Sequence, residues 1–269
     1  MRFTKYHGTG NDFILMKEED IYGEDFPTLA KRLCHRRFGL GADGFMVASY
    51  SKTEDLKMQY FNQDGSEAPM CGNGLRCFGR FVHEEHMEPK KRFTVETLAG
   101  TMGVEILSAY DRIQISLDAP KEEVGWPHTK EPVTWDKPVS LTVGSRTYDV
   151  YVLFLGTLHG VIFTKLDVPE EDAKALCHHE FFPEAININF VKVEKNYEIY
   201  VKTYERGVGY TLSCGTGAMA SAYMAHRIKG LLHQVLVKVD GGLLEVACEE
   251  RIYLTGPSVK IAEGGMTNE

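Results

Sequence analysis

Residues 62–77 read NQDGSEAPMCGNGLRC, a polar segment rich in turn-forming residues that stops at Cys71. The apolar residues that follow recur with the spacing of a helix with one buried face: Leu75, Phe78, Phe81 and Val82. The residues between them are polar: Arg76, Arg80 and His83. Cys71 is therefore predicted just ahead of a helix N-terminus, where free N–H groups and the helix dipole favour an anion. We expect the pKa of this thiol to fall from about 8.5 towards neutrality.

The same pattern occurs a second time in the chain. Cys214 opens a Cys-Gly-X-Gly segment 143 residues after Cys71, and a strongly apolar helical stretch follows it. Further pairs of segments resemble each other at similar offsets: 61–62 and 204–205, 103–106 and 243–246, and 112–115 and 251–254. A repeat of such long period indicates two copies of one domain. We expect each copy to present a cysteine at the mouth of a helix, with the two thiols facing across a cleft.

Composition excludes several classes of protein. The 269 residues carry a formal net charge of −8, which argues against a general binder of nucleic acid or of anionic membranes. The longest apolar run, residues 150–155, is far shorter than the ~20 residues of a membrane span. Residues 1–10 contain no apolar signal-peptide core, so we expect a cytoplasmic protein. The sequence is compatible with a homodimer but does not fix the oligomeric state.

The six cysteines are dispersed along the chain, and no two of them form a Cys-x-x-Cys pair. Disulfide frameworks belong to short secreted chains, so we expect free thiols and no structural metal site. For four of the six, the expected role is that of a small buried residue: Cys34, Cys77, Cys177 and Cys248.

The order of predicted elements indicates an α+β fold. In the first half we expect strands at 2–6, 13–16, 45–48, 57–61, 93–96, 101–107 and 112–117, with helices at 26–37 and from 75 onward. In the second half we expect strands at 139–143, 146–153, 160–163, 186–193, 198–204, 235–239, 243–247 and 252–255, with helices at 169–177 and 218–228. Residues 119–138 hold four of the ten prolines and both tryptophans, so we place the domain crossing there.

The fold prediction is two pseudo-symmetric domains, each a mainly antiparallel sheet wrapped around a central helix, with the active site in the cleft between them. The first domain spans 1–118, with the tail 258–269 packing back on it, and the second spans 119–257. The second helix is apolar nearly all round, as expected if strands enclose it.

Two cysteines in matched loops favour acid–base chemistry at one carbon. Each Cys-Gly-X-Gly turn offers backbone N–H groups that can hold a carboxylate and stabilise the charge that builds when its α-proton leaves. One cysteine, as thiolate, removes the α-proton, and the other, as thiol, delivers a proton to the opposite face. The α-carbon is inverted, and the scheme requires no metal or pyridoxal cofactor.

Several strings resemble the signatures of the diaminopimelate epimerase family: GTGNDF (8–13), FGLGADG (38–44), FNQDGSEAPMCGNGLRC (61–77), NINF (187–190), YERGVGYTLSCGTGA (204–218) and TGPS (255–258). The resemblance extends over essentially the whole chain, and the two cysteine loops are its most specific part. It implies a cofactor-independent epimerase, most simply one that converts LL-diaminopimelate to meso-diaminopimelate, with Cys71 and Cys214 as the acid–base pair.

The resemblance also implies roles for residues around the cysteines. Those that hold the reacting carboxylate are Gly72, Asn73, Gly215 and Thr216. Those that bind the ammonium and the distal end of the substrate are Asn11, Asn62, Asn187, Glu205 and Arg206. His159 and Glu205 correspond to positions that tune the thiols.

One departure from the family pattern concerns the substrate. The family has Gly-Asn-Pro-His where this chain has Gly156-Thr157-Leu158-His159. Threonine lacks the carboxamide of the family's asparagine, although its hydroxyl still donates one hydrogen bond and accepts others. Thr157 thus remains a candidate substrate ligand, and a racemase of another amino acid, such as histidine or a basic one, is the alternative.

Two other classes of protein fit some of these features. A thiol redox enzyme uses paired cysteines, but normally has a resolving cysteine close by and no duplicated carboxylate site. A non-catalytic amino-acid-binding protein would keep the two loops and tolerate loss of either thiol. Exchange of the α-proton with deuterium oxide separates the epimerase from both.

Overall fold

The structure is a computed structural model, and it describes residues 1–108, 112–121, 123–165 and 167–266. Its strands, in chain order, are β1 (Arg2–Gly8), β2 (Asn11–Lys17), β3 (Gly44–Tyr50), β4 (Leu56–Asn62), β5 (Glu67–Ala68), β6 (Arg92–Thr97), β7 (Gly100–Ser108), β8 (Arg112–Asp118), β9 (Glu123–Val124), β10 (Val133–Thr134), β11 (Val139–Val143), β12 (Arg146–Phe154), β13 (Leu158–Phe163), β14 (Asn187–Lys195), β15 (Glu198–Glu205), β16 (Gly209–Thr211), β17 (Gln234–Val239), β18 (Gly242–Cys248), β19 (Arg251–Gly256) and β20 (Val259–Gly265). Its α-helices are α1 (Phe26–Cys34), α2 (Gly72–Glu84), α3 (Glu170–Cys177) and α4 (Gly215–Lys229). This mixture of sheet and helix is the predicted α+β class.

The chain divides into two compact units. Unit 1 consists of Met1–Ser116 together with Thr255–Glu269, and unit 2 consists of Leu117–Leu254. The boundaries predicted from the sequence were after residue 118 and before residue 258. The strand that returns the chain to unit 1 is β20, which pairs antiparallel with β1.

Unit 1 wraps its sheet around α2. The pairs β1–β2, β3–β4, β6–β7 and β7–β8 are antiparallel, whereas β2–β3 and β4–β6 are parallel. Helix α2 packs on β1, β2, β3 and β7, and every residue of its first two turns is buried. The helix is thus enclosed by strands, as its apolar spacing predicted.

Unit 2 repeats this plan around α4. The pairs β12–β13, β14–β15 and β17–β18 are antiparallel, whereas β13–β14 and β15–β17 are parallel. Helix α4 packs on β13, β14, β15, β17 and β18, and it is buried from Gly215 to Ala225. The first parallel pair of each unit is bridged by α1 or α3, and the second by α2 or α4, so the two units share one topology. The internal repeat therefore reflects a duplicated fold.

The strand registers give residue-by-residue equivalences between the units. Gly44 lies opposite Asn62 in unit 1, and the register of β14 with β15 places Asn187 at the corresponding position relative to Glu205. The parallel pairing of Phe13 with Gly44 corresponds to that of His159 with Asn187. By the same registers, three further pairs are equivalent: Asn11 and Thr157, Met46 and Asn189, and Tyr60 and Thr203.

Three sequence-based expectations need correction. Helix α1 ends at Cys34 rather than 37, because the Nδ1 atom of His35 accepts the backbone N–H groups of Arg37 and Phe38, at 3.2 and 3.1 Å, and closes a turn. Strand β20 was not predicted at all. Arg76, which the apolar spacing of α2 leaves off the buried face, is fully buried.

Helix α4 packs so closely on its sheet that its third residue has to be glycine. A Cβ atom on Gly217 would overlap Asn189 Oδ1 and lie 3.0 Å from Thr203 Oγ1, and both side chains are buried. We expect Gly217→Ala to destabilise unit 2 by about 1–3 kcal/mol. Urea unfolding followed by tryptophan fluorescence measures this, since both tryptophans lie in unit 2 and Trp135 contacts Tyr223 of α4.

The control for this prediction is Gly125→Ala in the same unit. A Cβ atom on Gly125 meets nothing within 4 Å, and the backbone there does not have a positive φ. We expect this variant to be as stable as the wild type or slightly more stable, since alanine restricts the unfolded chain. Equal stability of the two variants would contradict the packing argument.

Candidate active site

Cys71 is the N-cap of α2. Its backbone is extended, with φ −136° and ψ 120°, and its carbonyl accepts the first helical hydrogen bond from Leu75 N at 2.8 Å. Gly72, Asn73 and Gly74 form the first turn, and N–H groups in this position have no partner within the helix. The thiol is half-buried at the positive end of the helix dipole, which favours the binding of anions.

The sulfur of Cys71 lies 3.6 Å from Asn11 Oδ1, to which the thiol donates. The other end of this carboxamide is fixed, because Asn11 Nδ2 donates to Asp43 Oδ2 at 2.7 Å. Asp43 also accepts the backbone N–H of Asp12 at 3.1 Å and a hydrogen bond from Arg36 at 2.6 Å. The first site residue of the GTGNDF string is thus held against Cys71 by a network of charges.

Arg76 is the largest fully buried side chain among the residues that the structure describes. Its guanidinium turns back over the start of α2, donating to Gly72 O at 3.3 Å and to Asn73 Oδ1 at 3.0 Å. It also donates to Thr9 Oγ1 at 3.5 Å and to Pro257 O at 3.4 Å, and burial lowers its pKa. No carboxylate of the described residues pairs with it, so a buried positive charge lies one helical turn from Cys71.

Cys214 is the N-cap of α4 and repeats the geometry of Cys71. Its φ and ψ are −114° and 113°, and its carbonyl accepts Ala218 N at 2.9 Å. Gly215, Thr216 and Gly217 form the buried first turn. The residue is 7% exposed, and its sulfur lies 3.7 Å from Thr216 Oγ1.

Behind this turn lies a buried chain of polar side chains. His159 is fully buried, with Nε2 3.0 Å from Thr216 Oγ1 and Nδ1 3.2 Å from Asn189 Nδ2. Asn189 Nδ2 also donates to Gly160 O at 3.0 Å, and Asn189 Oδ1 accepts from Thr203 Oγ1 at 2.9 Å. Burial lowers the pKa of His159 to about 3, so the imidazole is neutral at physiological pH. His159 therefore reaches Cys214 through the hydroxyl of Thr216.

The remaining predicted ligands lie at strand ends, each engaged with its own unit. In unit 1, Asn62 ends β4 and donates to Ser66 Oγ at 3.0 Å. In unit 2, Asn187 accepts the backbone N–H of Arg206 at 2.9 Å. The guanidinium of Arg206 donates to Glu184 O at 2.7 Å.

Glu205 and Thr157 complete the predicted set. Glu205 ends β15 and accepts a hydrogen bond from Thr211 Oγ1 at 2.6 Å. Thr157 lies in the turn before β13, where its carbonyl accepts Leu155 N at 2.9 Å. Its register equivalent in unit 1 is Asn11, so the two residues occupy equivalent positions in the repeated fold.

Sequence reasoning missed three residues next to the cysteines: Arg76, Asn189 and Thr203. Asn189 lies inside the NINF string, so the sequence identified this segment but did not predict the contact of Asn189 with His159. Thr203 and Arg76 carried no local signal, because an alternating strand and an apolar helix spacing report burial rather than hydrogen bonding.

None of the six cysteines forms a disulfide. Among the described residues no cluster of three or more histidine, cysteine, aspartate or glutamate side chains could hold a metal ion. None of the described helices is long and apolar enough to cross a membrane.

A structure with the same fold is that of a hydroxyproline epimerase from Agrobacterium vitis with bound trans-4-hydroxy-L-proline. The two structures superpose with a TM-score of 0.72 over 98% of this chain and 91% of that chain, at 12% identity. The two chains therefore share one fold.

The sequence comparisons go further than the fold. The model of the diaminopimelate epimerase family matches residues 3–121 and 157–261, which include both cysteine loops. The diaminopimelate epimerase of Alkaliphilus metalliredigens is 39% identical over 100% of this chain and 98% of its own length. That of Caldanaerobacter subterraneus is 40% identical over 98% of each. The chain belongs to the diaminopimelate epimerase family, and the predicted resemblance and isomerase class are confirmed.

Acid should destabilise unit 2 through His159. The pKa of this residue in the folded chain, about 3, lies below the 6.5 of an ordinary histidine. As the pH falls from 6.5 towards 3, the unfolded state binds a proton that the folded state does not, so stability falls by up to about 1.4 kcal/mol per pH unit. We expect His159→Gln to lose less stability than the wild type between pH 7.5 and 4.5.

Thermal unfolding monitored by tryptophan fluorescence measures this difference in slope, since both tryptophans lie in unit 2. The control variant is His178→Gln, which removes an exposed histidine of the same unit. If His159→Gln and the wild type lose stability in parallel, protonation of His159 does not destabilise the folded chain. The low pKa attributed to this residue would then be wrong.

Proposed function

We propose that this protein inverts the α-carbon of an amino acid by proton transfer to and from two cysteines, and that it converts LL-diaminopimelate to meso-diaminopimelate. The observation that carries the proposal is the duplicated cysteine N-cap. Cys71 and Cys214 occupy equivalent positions on two buried helices, in a chain of the diaminopimelate epimerase family. The amino-acid substrate is the only partner that the proposal requires.

The reaction consists of two proton transfers. A thiolate takes the α-proton, breaking the C–H bond and forming S–H, and the electron pair remains on the α-carbon and its carboxylate. The N–H groups of Gly72, Asn73, Gly215 and Thr216 stabilise that charge as it develops. The other cysteine then gives its S–H proton to the opposite face and becomes the thiolate. For inversion, both sulfurs have to reach the same carbon, and no cofactor takes part.

The ligands of the rest of the substrate follow from the family pattern. Asn11 and Asn62 in unit 1, and Asn187, Glu205 and Arg206 in unit 2, present carboxamides, a carboxylate and a guanidinium at strand ends. An ammonium group suits the carboxylate and the carboxamide oxygens. A distal carboxylate suits Arg206, which can bind it with two parallel hydrogen bonds. Diaminopimelate carries both groups at its distal end.

The compartment we propose is the cytoplasm. The mechanism needs two reduced thiols, and a reducing compartment keeps cysteines in that state.

The second candidate function is racemisation of a different amino acid, such as histidine or a basic one. The observation that favours it is the pair Thr157 and Leu158, which replaces the family's asparagine and proline. Asn62, Asn187, Glu205 and Arg206 are all retained, and for that reason diaminopimelate is the substrate we propose.

Loss of either cysteine should abolish the reaction. We expect Cys71→Ala and Cys214→Ala each to lower kcat by several orders of magnitude, because groups that act as a unit fail together. The measurement is chiral analysis of LL-diaminopimelate incubated in deuterium oxide, with α-deuterium incorporation followed in parallel. The wild type should incorporate deuterium as it epimerises.

The matched control is Cys248→Ala. Cys248 is buried, and burial raises the pKa of its thiol to about 12, so we expect full activity in this variant. A redox enzyme or a binding protein would show no α-exchange in any variant. A single cysteine variant that keeps a tenth of the wild-type rate would rule out the two-base scheme.

The substrate choice depends on the corner formed by Thr157 and Leu158. We expect meso-diaminopimelate to be preferred over L-histidine, and Thr157→Asn combined with Leu158→Pro to increase that preference. A hydrogen bond to a charged group is worth roughly 1.5–3 kcal/mol, so the added carboxamide should gain about tenfold to a hundredfold in affinity. The measurement is kcat/KM for both substrates in both proteins. If the wild type preferred L-histidine a hundredfold, the assignment of diaminopimelate as substrate would be wrong, but the two-base mechanism would still hold.

A further inference from the structure

The carboxamide of Asn189 has only one orientation open to it. This side chain is fully buried, and its Nδ2 lies 3.0 Å from Gly160 O. A backbone carbonyl only accepts hydrogen bonds, so the amino end has to face it. The oxygen end then faces Thr203 Oγ1, whose hydroxyl donates to it at 2.9 Å.

This orientation decides which ring nitrogen of His159 carries the proton. The second N–H of Asn189 Nδ2 points at His159 Nδ1, 3.2 Å away, so Nδ1 accepts. A neutral imidazole that accepts at Nδ1 carries its proton on Nε2. Since His159 is fully buried and neutral, this is its only proton, and Nε2–H donates to Thr216 Oγ1 at 3.0 Å.

The hydroxyl of Thr216 then has a proton to give. It has accepted from His159, and the sulfur of Cys214 lies 3.7 Å from its oxygen. We propose that Asn189 is a positioning residue, which fixes the tautomer of His159 and so turns the hydroxyl proton of Thr216 towards the sulfur of Cys214. A donated hydrogen bond stabilises a thiolate more than a thiol. The relay therefore prepares Cys214 to act as a base, and this part of the inference rests on the proposed function.

The duplicated fold can be built without this row of buried polar side chains. The residues of unit 1 equivalent to His159, Asn189 and Thr203 are, respectively, Phe13, Met46 and Tyr60. The same strands and the same helix N-terminus are thus built in unit 1 with apolar and aromatic side chains at those positions. The burial of His159 and Asn189 in unit 2 calls for another explanation, and the relay supplies it.

Two charged groups near this end of unit 2 have hydrogen-bond partners of their own. Glu205, which ends β15, accepts a hydrogen bond from Thr211, and the guanidinium of Arg206 donates to Glu184 O. The groups on β13, β14 and α4 that make the relay are all neutral: His159, Asn189 and Thr216. These three side chains therefore influence Cys214 through the direction of their hydrogen bonds and not through a net charge.

The first test is the tautomer of His159 in the substrate-free wild type. Nitrogen-15 NMR of the imidazole, assigned by comparison with His159→Gln, should show a protonated Nε2 and an unprotonated Nδ1, without titration between pH 5 and 9. A protonated Nδ1, or an imidazolium at pH 7, would overturn the relay. The protonation state is read from the wild type, and the variant serves only to assign the signal.

The second test is the reactivity of Cys214 in a Cys71→Ala background. Asn189→Met installs the residue that unit 1 has at the equivalent position. We expect it to release the tautomer of His159 and to slow alkylation of Cys214 by iodoacetamide at pH 7 about tenfold. The control is Thr203→Val, which removes one hydrogen bond of Asn189 but leaves its amino end on Gly160 O. Its alkylation rate should stay within twofold of the parent.

An unchanged alkylation rate in Asn189→Met would refute the relay. Both tests are made without substrate, so they are independent of the proposed function. An Nε2–H tautomer with Asn189-dependent alkylation, in a protein without epimerase activity, would refute the proposed function and keep the relay. Epimerase activity in a protein whose His159 carries its proton on Nδ1 would refute the relay and support the proposed function.

Discussion

The structure of each half depends on a helix that begins inside the protein. The first turns of α2 and α4 are buried, yet the N–H groups at the start of any helix have no partner within it. Two consequences follow from this constraint. The residue at the N-cap lies in a field that favours negative charge, and the first turn can hold an anion without a positively charged side chain. Placing a cysteine at the N-cap turns a structural requirement into a reactive group.

Glycine is the residue that lets these turns be buried. Gly217 lies against Asn189 and Thr203, and Gly74 lies against the end of the Met46 side chain. The Cys-Gly-X-Gly string is therefore a packing signal as well as a chemical one. Its two copies share a backbone because the strands around them share a register, and the chemistry of the side chains facing each copy was free to diverge.

That divergence makes the two thiols chemically different. Cys71 lies near the buried charge of Arg76, and its sulfur meets the oxygen end of Asn11. These two neighbours act in opposite directions, because a positive charge favours the thiolate whereas an acceptor oxygen favours the thiol. At Cys214 the neighbouring hydroxyl of Thr216 is neutral, and so is the imidazole of His159 behind it. The equivalent of Arg76 in α4 is Met219, so no such charge is present at that position of unit 2.

Much of this arrangement could be predicted from the sequence, for a physical reason. Periodicity reports burial, and burial is what defines the strands and the enclosed helices, so their positions and the repeat were predictable. Arg76 was not, because its spacing is that of a solvent-facing residue, while its guanidinium instead bonds to the carbonyls of Gly72 and Pro257. The contact of Asn189 with His159 depends on the parallel register of β13 and β14, which no local pattern encodes.

The unequal exposure of the two cysteines adds a step to the proposed reaction cycle. One turnover leaves the two sulfurs with exchanged protonation states, so a proton has to move before the next substrate of the same configuration can react. Cys214 is 7% exposed and lies in front of a relay whose histidine does not take up a second proton. Cys71 is half-buried, and water reaches it more readily. Cys71 therefore regains its proton from solvent more easily than Cys214 loses its own, and the nearby charge of Arg76 helps the sulfur of Cys71 to carry a negative charge in the meantime.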